Sequence, residues 1–519
     1  MIEKYLNNRL ATLYFFPFII GSLSTLSFQP FNLTIVNFII LPVFFYLLVF
    51  INKKSKATYR KKPYKKNLFI FGTTFGFGFF FSGIHWITHS LTFDDSFKIL
   101  IPFGLIFIPL FLSLFFSLLT LIIGPFLSLN FASIFVFTAG LAFSDFLRAK
   151  ILSGFPWNLW AYSFSWSTEL IQIVDKLGLF GFNLILLTIF TLPVVIFFKI
   201  NFLKKIFILV IIPFSLFILY IYGNYTINNN QKNLDLISER YKIKVISPNF
   251  KLEYGLSNDQ IKKRLNKLIK YSETNNNSKT IYVWPEGVFS GYNFNEILQF
   301  KKIFIDNFNN NHLILFGINR SSEKEKGVFN SLLIINNQME ILQEYRKQKL
   351  VPFGEFLPFE KILKKFGLKK ITEGHGSFLK GKSQKNLSVD KLNILPLICY
   401  EIIFPELVQG SDKGTNLIIN ISEDGWFGNS IGPFQHFAKA SYRAIEQNSF
   451  LIRSANKGIS AIINNKGQVI KKLSSNETGN IELEVPLIVN ENKIKNDLIF
   501  FVLLITYIFI FNFYKKNND

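Results

Sequence analysis

The one cysteine of the chain, Cys399, stands where a predicted strand ends. An apolar run from Ile394 to Ile398 leads into it, and a helix is expected to begin near Pro405. A thiol at such a position is ionised by a helix N-terminus or a nearby cation, and the thiolate is the reactive form. The alternative is a small buried side chain that only fills space. A single cysteine forms no internal disulfide, so an oxidising compartment is neither required nor excluded.

Two further predicted strand ends carry groups that complement a thiol. Glu286 follows the apolar stretch Tyr282–Trp284 beside a glycine turn, and Lys347 and Glu355 follow Tyr345. At one edge of one domain, these groups supply a general base, a stabiliser of negative charge and, with the thiol, a nucleophile. Taken singly, each has an ordinary explanation as a turn cap, a solvated lysine or a core side chain.

The region around these residues predicts an α/β domain. Between about residues 229 and 488 the apolar runs shorten to strand length and alternate with helical patterns, and this length suffices for one core. The predicted strands are Ile243–Ile246, Thr280–Trp284, Leu313–Asn319, Phe329–Ile335, Leu392–Cys399, Leu417–Ile421, Phe450–Arg453 and Ser460–Ile463. The predicted helices are Asp259–Glu273, Phe294–Asn307 and Pro433–Glu446.

The rest of the chain predicts an integral membrane α-helical bundle. Mean hydropathy is +0.29, and phenylalanine alone fills 63 positions in long unbroken apolar runs. Only helices satisfy every backbone group when they cross lipid singly. About eight spans are predicted: Leu10–Ser27, Leu33–Ile51, Leu68–Ile87, Ile99–Ile123, Phe131–Phe146, Leu179–Phe198, Ile206–Tyr222 and Leu498–Tyr514.

The charges beside these spans predict an orientation. Eight Lys and Arg residues lie in the link 52–66, and the link 199–205 and the C-terminal tail are also basic. The positive-inside rule then puts both termini in the cytoplasm and the α/β domain outside, in the periplasm or at the cell exterior. The net charge of +23 fits this topology better than nucleic-acid binding, so no nucleic acid is expected as a partner.

A polar and aromatic stretch follows the fifth predicted span. Asp145 and Arg148 are spaced as a helical ion pair, which is ordinary helix support. The aromatic residues that follow are typical of an interfacial belt, and the alternative is the lining of a lipid entrance: Trp157, Trp160, Tyr162 and Trp166.

The joint pattern of the α/β domain resembles the nitrilase superfamily, whose members share a Glu-Lys-Cys triad on an αββα sandwich. Within it, the sequence is similar to the bacterial apolipoprotein N-acyltransferase family. The resemblance covers nearly the whole chain, and the Leu350–Glu355 segment is distinctive of the narrower family. The matching segments are Trp284–Gly287, Tyr345–Lys347, Leu350–Glu355, Ile398–Glu401, Asn420–Gly428, Gly432–His436, Arg443–Glu446, Arg453–Ser460 and, in the membrane half, Gly154–Trp157.

The resemblance implies residue roles. Glu286 would be the general base, Lys347 the oxyanion stabiliser and Cys399 the nucleophile. Supporting and pocket residues would be Glu355, Tyr400, Glu401 and Trp426. The sequence departs from the family pattern at three positions near this site, which puts details of the acceptor pocket in doubt: Glu423, Gly425 and Lys349.

The resemblance also implies a reaction and its partners. A fatty acyl chain would pass from a membrane phospholipid to Cys399 as a thioester, then to the N-terminal α-amine of a diacylated apolipoprotein. No cofactor and no metal are implied, and the chain would act as a monomer in the lipid bilayer. The expected domains are a membrane domain at 1–228, a catalytic domain at 229–490, and a C-terminal span with a cytoplasmic tail at 491–519.

Two other functions stay open from the residues alone. A membrane-tethered carbon-nitrogen hydrolase would keep the triad and use water as the second nucleophile. A transporter or non-catalytic scaffold with an outer sensor domain would leave Cys399 as core packing. The scarcity of charge inside the spans gives no evident substrate pathway for a transporter.

Overall fold

The computed structural model describes residues 8–56, 63–274, 277–324, 326–363, 365, 377–382, 386–409, 414–488, 490 and 497–518. The chain divides into two compact units. The first comprises Met1–Thr88, Lys98–Tyr225 and Lys495–Asp519, and the second comprises His89–Phe97 and Thr226–Ile494.

The first unit is helical and carries the apolar segments. Seven helices of the described residues are long and apolar enough to cross a membrane: Thr34–Lys56, Tyr64–Thr92, Asp95–Phe126, Phe131–Lys150, Val174–Phe197, Phe202–Asp235 and Asp497–Tyr514. The first predicted span corresponds to the shorter apolar helix Ala11–Ser27. The prediction of an α-helical membrane part is therefore confirmed, with one of the eight segments short for a span.

Several of these spans are composite. Short π or 3₁₀ turns flank the regular α-helices, at Ala11–Phe15, Ser24–Ser27, Thr34–Val36, His85–Thr92, Asp95–Leu100, Gly124–Phe126, Trp160–Phe164 and Leu192–Phe197. The α-helices themselves are Phe16–Leu23, Asn37–Lys56, Tyr64–Ile84, Ile101–Ile123, Phe131–Lys150, Val174–Thr191, Phe202–Asp235 and Asp497–Asn518.

Close helix contact in this unit depends on small residues. A Cβ at Gly72 would lie 2.6 Å from the carbonyl oxygen of Phe116, so the glycine lets the helices Tyr64–Ile84 and Ile101–Ile123 touch. Beside this contact, the rings of Phe44 and Phe75 stack at 4.1 Å. Shape complementarity of this kind, rather than a hydrophobic driving force, holds helices together in lipid.

The polar and aromatic stretch after the fifth predicted span is mostly internal. The Arg148 guanidinium pairs with Asp145 at 2.8 Å, and Asn183 donates to the other carboxylate oxygen at 3.0 Å. The pair therefore fixes two helices to each other. Of the four aromatic residues predicted as an interfacial belt, only Trp166 is strongly exposed, at 51%, while the other three are buried in the helical unit. Because their side chains are buried, those three residues do not form an interfacial belt, which was one of the two interpretations.

The second unit contains two six-stranded sheets. The first has the order β12-β1-β2-β3-β4-β5, and the second has the order β11-β10-β9-β8-β7-β6. In each sheet three central strands run parallel, β1 to β3 and β7 to β9. The strands are β1 Arg240–Ser247, β2 Thr280–Val283, β3 His312–Ser321, β4 Val328–Ile335, β5 Ile341–Arg346, β6 Leu387–Val389, β7 Leu392–Ile398, β8 Leu417–Glu423, β9 Phe450–Asn456, β10 Ser460–Ile463, β11 Val469–Leu473 and β12 Gly479–Pro486.

Alternate residues of the strands build separate layers of this unit. Val245, Ile281 and Leu332 of the first sheet share a buried cluster with Ile419 and Ile452 of the second. Their neighbours along the first sheet face the other way and join a second cluster with the helices. The helices are Asn258–Ser272, Phe294–Ile297, Lys301–Asn307, Glu360–Leu363, Pro405–Gln409 and Gly432–Gln447, with 3₁₀ turns at Leu298–Phe300, Cys399–Ile403 and Asp424–Phe427. The predicted αββα sandwich is confirmed.

The predicted elements of this unit are largely present. All eight predicted strands exist, and four more strands, β5, β6, β11 and β12, were not among them. The predicted helix Phe294–Asn307 is instead two short helices joined by a 3₁₀ turn.

Candidate active site

The three predicted strand ends meet in the second unit. Glu286 lies just after β2, Lys347 directly after β5, and Cys399 directly after β7. The backbone N–H of Lys347 still donates to the Asn330 carbonyl at 2.9 Å, so the lysine stays fixed to the neighbouring strand β4. Cys399 has φ of 50°, a left-handed conformation that is strained for any residue but glycine. It opens a 3₁₀ turn, and a five-residue helix follows at Pro405–Gln409.

Lys347 lies between two carboxylates. Its Nζ is 2.8 Å from Oε1 of Glu355 and 3.6 Å from Oε1 of Glu286, and its side chain is 1% exposed. Burial alone would lower the pKa of Lys347, but the charges of Glu286 and Glu355 raise it above its ordinary value. The lysine is therefore a fixed ammonium group, suited to stabilise an oxyanion and unable to act as a base at neutral pH.

Asn330, in the middle of strand β4, joins the two carboxylates. Its side-chain N–H₂ donates to Glu286 at 2.7 Å and to Glu355 at 3.0 Å. This residue was not predicted as part of the site, because an asparagine inside an apolar run gives no chemical signal. The amide fixes the spacing of the carboxylates around the ammonium group.

The thiol of Cys399 is protonated in the resting site. Burial and the negative charge of Glu286 raise its pKa, and the lowering effect of Lys347 does not offset them. We expected a cation or a helix N-terminus to ionise this thiol. Lys347 does lower the pKa of the thiol, but two carboxylates already balance the charge of this lysine. Attack therefore requires a base to remove the thiol proton.

Glu401 connects the lysine segment with the cysteine turn. Its Oε1 accepts from the backbone N–H groups of Gln348 and Lys349 and from the Tyr345 hydroxyl, at 2.6, 3.0 and 2.9 Å. Its Oε2 accepts from the Ile398 N–H at 2.8 Å. Burial raises the pKa of Glu401 to about 7, although these donors lower it. Both oxygens are occupied by the protein, so Glu401 supports the site from within.

The two other predicted pocket residues lie at more open positions. The half-buried Tyr400 packs its ring at 5.0 Å from Phe404. The half-buried Trp426 packs edge-on against Phe93 at 5.1 Å, and its ring is 6.4 Å from Tyr254. The contacts of Trp426 form an aromatic cluster at the turn that follows strand β8.

A buried charge network lies behind the cysteine. His436 contacts the Cys399 carbonyl through Nε2 at 3.2 Å, and because a carbonyl only accepts, Nε2 carries the proton. Its unprotonated Nδ1 accepts from the Arg453 guanidinium at 3.1 Å, and this guanidinium also donates to Asp424 at 2.8 Å. Burial lowers the pKa of His436 to about 4, so the ring is neutral near pH 7. The resemblance covered these segments without assigning them roles, and the geometry shows that they fix the strained turn.

Two of the three departures from the family pattern are coupled. A Cβ at Gly425 would lie 2.7 Å from Oε1 of Glu423, so the glycine leaves room for the larger glutamate. Glu423 is buried, and its backbone N–H donates to Oε2 of Glu286 at 3.1 Å. The third departure, Lys349, pairs with Glu406 at 2.9 Å and lies over the ring of Phe404.

The chain is similar to known proteins along most of its length. Two family models match the chain: "Carbon-nitrogen hydrolase" over residues 256–489 and "Apolipoprotein N-acyltransferase N-terminal domain" over residues 20–192. A solved carbon-nitrogen hydrolase superfamily protein from Xanthomonas campestris is 15% identical, with a TM-score of 0.35 over 48% of this chain and 91% of that chain, which is too low to support a conclusion.

Curated relatives extend the match across both units. The "Apolipoprotein N-acyltransferase" of Rickettsia typhi is 32% identical over 500 residues, which are 95% of this chain and 96% of that protein. The protein of the same name from Rhodopseudomonas palustris is 30% identical over 485 residues, 90% of this chain and 88% of that protein. With both halves matched and most of each relative covered, the chain belongs to the apolipoprotein N-acyltransferase family.

Proposed function

We propose that this protein transfers a fatty acyl chain from a membrane phospholipid to the N-terminal α-amine of diacylglyceryl-cysteine in apolipoproteins. The intermediate is a thioester on Cys399, and the catalytic residues are Glu286, Lys347 and Cys399. One observation carries the assignment of roles: a buried ammonium group is held 2.8 and 3.6 Å from two carboxylates, with its charge acting on the only thiol of the chain.

The first half-reaction forms the thioester. Glu286 takes the proton of the Cys399 thiol, and the sulfur attacks the carbonyl carbon of the phospholipid ester. The charge that develops on the carbonyl oxygen is stabilised by the ammonium group of Lys347. The tetrahedral intermediate collapses as the glycerol oxygen leaves, and Glu286 returns the proton to it. A lysophospholipid departs, and Glu286 is again a carboxylate.

The second half-reaction uses the same groups in the same order. The neutral α-amine attacks the thioester carbonyl, Lys347 stabilises the new oxyanion, and Glu286 takes one amine proton. The carbon–sulfur bond breaks, the sulfur recovers the proton from Glu286, and an amide forms. Double displacement through a covalent intermediate gives ping-pong kinetics.

The supporting residues keep the reacting groups in position. Glu355, together with Glu286, balances the charge of Lys347. Glu401 binds the backbone N–H groups of Gln348 and Ile398, next to the lysine and the cysteine. Tyr400 and Trp426 present aromatic surface from adjoining turns, which suits an acyl chain. These roles are part of the proposal, and variants of Glu401 test one of them.

The membrane setting completes the proposal. The chain is an integral membrane protein with a membrane domain at 1–228, a catalytic domain at 229–490 and a C-terminal span at 491–519. The basic links favour cytoplasmic termini and a catalytic domain on the periplasmic side of the inner membrane. Both substrates are lipid-anchored, so they meet the site at the membrane surface, and the protein acts there as a monomer without a cofactor.

Intact-protein mass spectrometry tests this function directly. The purified wild type and Cys399→Ser are incubated with phospholipid, and a diacylated lipopeptide is then added. With phospholipid alone, we expect the wild type to gain the mass of one fatty acyl group and the variant to form no thioester. After the lipopeptide is added, we expect the wild type to lose this mass and the lipopeptide to gain it.

The other outcomes separate the alternatives. Loss of the acyl adduct in water alone, with the lipopeptide unmodified, would indicate a carbon-nitrogen hydrolase. Membership of the acyltransferase family argues against this alternative. No adduct with several phospholipids would refute the role of Cys399 and favour a non-catalytic protein.

A further inference from the structure

We propose that Glu423, while protonated and neutral, positions the general base Glu286, and that acylation of Cys399 slows when Glu423 ionises. This inference rests on the proposed function of Glu286. It assigns a role to a carboxyl group that the reaction scheme above does not use.

Glu423 contacts the general base through two connections. Its backbone N–H donates to Oε2 of Glu286 at 3.1 Å. Its side chain packs against the next residue, Gly287, where a Cβ would lie 2.7 Å from Oε2 of Glu423. Glu286 therefore has one carboxylate oxygen held by Asn330 and the other by the backbone of Glu423.

The surroundings of Glu423 favour the neutral form. Its side chain accepts from the Gly425 N–H at 2.9 Å and from the Asn456 amide at 2.7 Å. These hydrogen bonds favour the charged form, but both donors are uncharged and burial outweighs them. Glu423 is 2% exposed, and no Lys, Arg or His within the described ranges forms an ion pair with it. Burying an unpaired carboxylate is costly, so the group keeps its proton.

The charges facing Glu423 act in the same direction. Glu286 and Asp424 present negative charge from the ends of strands β2 and β8. Arg264 faces it from the helix Asn258–Ser272, but this guanidinium lies 3.7 Å from Glu253. Burial, with the two acidic neighbours, raises the pKa of Glu423 to about 8.

Lys457 does not change this balance. Lys457 follows strand β9, and its side chain lies within 3.5 Å of the position of a Cβ at Gly425. Its ammonium group donates to the side-chain oxygen of Asn249 at 3.0 Å. The cation is therefore directed to another partner.

Ionisation of Glu423 would impair both tasks of the site. A second negative charge beside the site disfavours the thiolate that attacks the ester. The same charge disfavours the oxyanion that Lys347 stabilises. A neutral carboxyl preserves the hydrogen bonds without these effects.

The test is the pH dependence of acyl-adduct formation on the full-length protein in phospholipid micelles. Titration of one group near pH 8 predicts that the initial rate of the wild type falls about thirty-fold between pH 7 and pH 9.5. For Glu423→Gln, relative to its own rate at pH 7, we expect a decline of less than about three-fold by pH 9.5. Glu477→Gln, on the surface, is the matched control and should keep the wild-type decline. Glu401 titrates in all three proteins, so its contribution cancels in the ratio of rates.

An equal decline in Glu423→Gln and wild type would overturn the inference, as would a wild type without any decline. Glu423→Asn replaces the glutamine variant if that variant does not fold, since a smaller neutral side chain fits the space beside Gly425. Absence of an adduct in the wild type at every pH would instead refute the proposed function.

Discussion

Removal of the Glu401 carboxylate should weaken both the fold and the reaction. In Glu401→Ala, the N–H of Ile398 and the hydroxyl of Tyr345 lose a buried acceptor, and the N–H groups of Gln348 and Lys349 lose a partly buried one. An unsatisfied buried donor costs about 1–3 kcal/mol, and water can replace the acceptor at the partly buried sites. The expected loss is therefore about 2–6 kcal/mol.

The conservative variant should give an intermediate result. In Glu401→Gln the oxygen can still serve three of the donors, but the new N–H₂ faces the N–H of Ile398. One opposed buried donor predicts a loss of about 1–3 kcal/mol. For a domain of this size, each kcal/mol lowers the melting temperature by about 2–4 °C. Thermal unfolding in detergent, followed by tryptophan fluorescence, measures both variants.

Glu406→Gln is the matched control. Glu406 also links the two segments, through its contact with Lys349, but this ion pair is partly exposed and worth about 0–1 kcal/mol. The adduct assay should show an approximately 100-fold slower rate for folded Glu401→Ala, because displacement of a catalytic group by about 1 Å has an effect of this size. Glu401 variants that melt and react like Glu406→Gln would refute the view that this carboxylate connects the site.

Three further variants test other parts of the site. Lys347→Met should lower the rate of adduct formation by at least about 100-fold while Lys349→Met does not, and equal rates in mass spectrometry would exclude the oxyanion role. His436→Ala should destabilise the protein by about 2–4 kcal/mol, because the Cys399 carbonyl and the charge network each lose a buried partner. Chemical denaturation measures this loss, and an unchanged midpoint would show that the network does not stabilise the fold. Gly287→Ala should cost about 1–3 kcal/mol, since φ is 76° and the new methyl group meets a carboxylate oxygen, and an unchanged melting temperature would contradict the geometry.

The sequence was most informative where a strand is buried on both faces. The central strands of both sheets read as continuous apolar runs, and all eight predicted strands are present. The four strands that were missed, β5, β6, β11 and β12, are the four edges of the two sheets. Strand β11 has four exposed residues of five, and β5 has one buried residue of six. An edge strand needs little apolar surface, so its pattern resembles that of a loop.

The site was predictable as a set of residue types but not as a network. Glu286, Lys347 and Cys399 were identified because each has reactive chemistry at a strand end. Asn330 and His436 were not, because their contribution depends on which buried partner they meet. Hydrogen-bond partners distant in sequence have no local signature, and the structure alone supplies them.

The protonated state of Cys399 has a consequence for its redox chemistry. Oxidants and common alkylating reagents react with thiolates, and reactive cysteines are usually exposed and acidic. This thiol is 8% exposed, and burial and Glu286 raise its pKa. The thiol proposed as the nucleophile is thereby protected from peroxide and from disulfide exchange while no substrate is bound. Selective inhibitors should carry an electrophilic carbonyl on a lipid-like group that reaches Glu286, since thiol reactivity alone will not suffice.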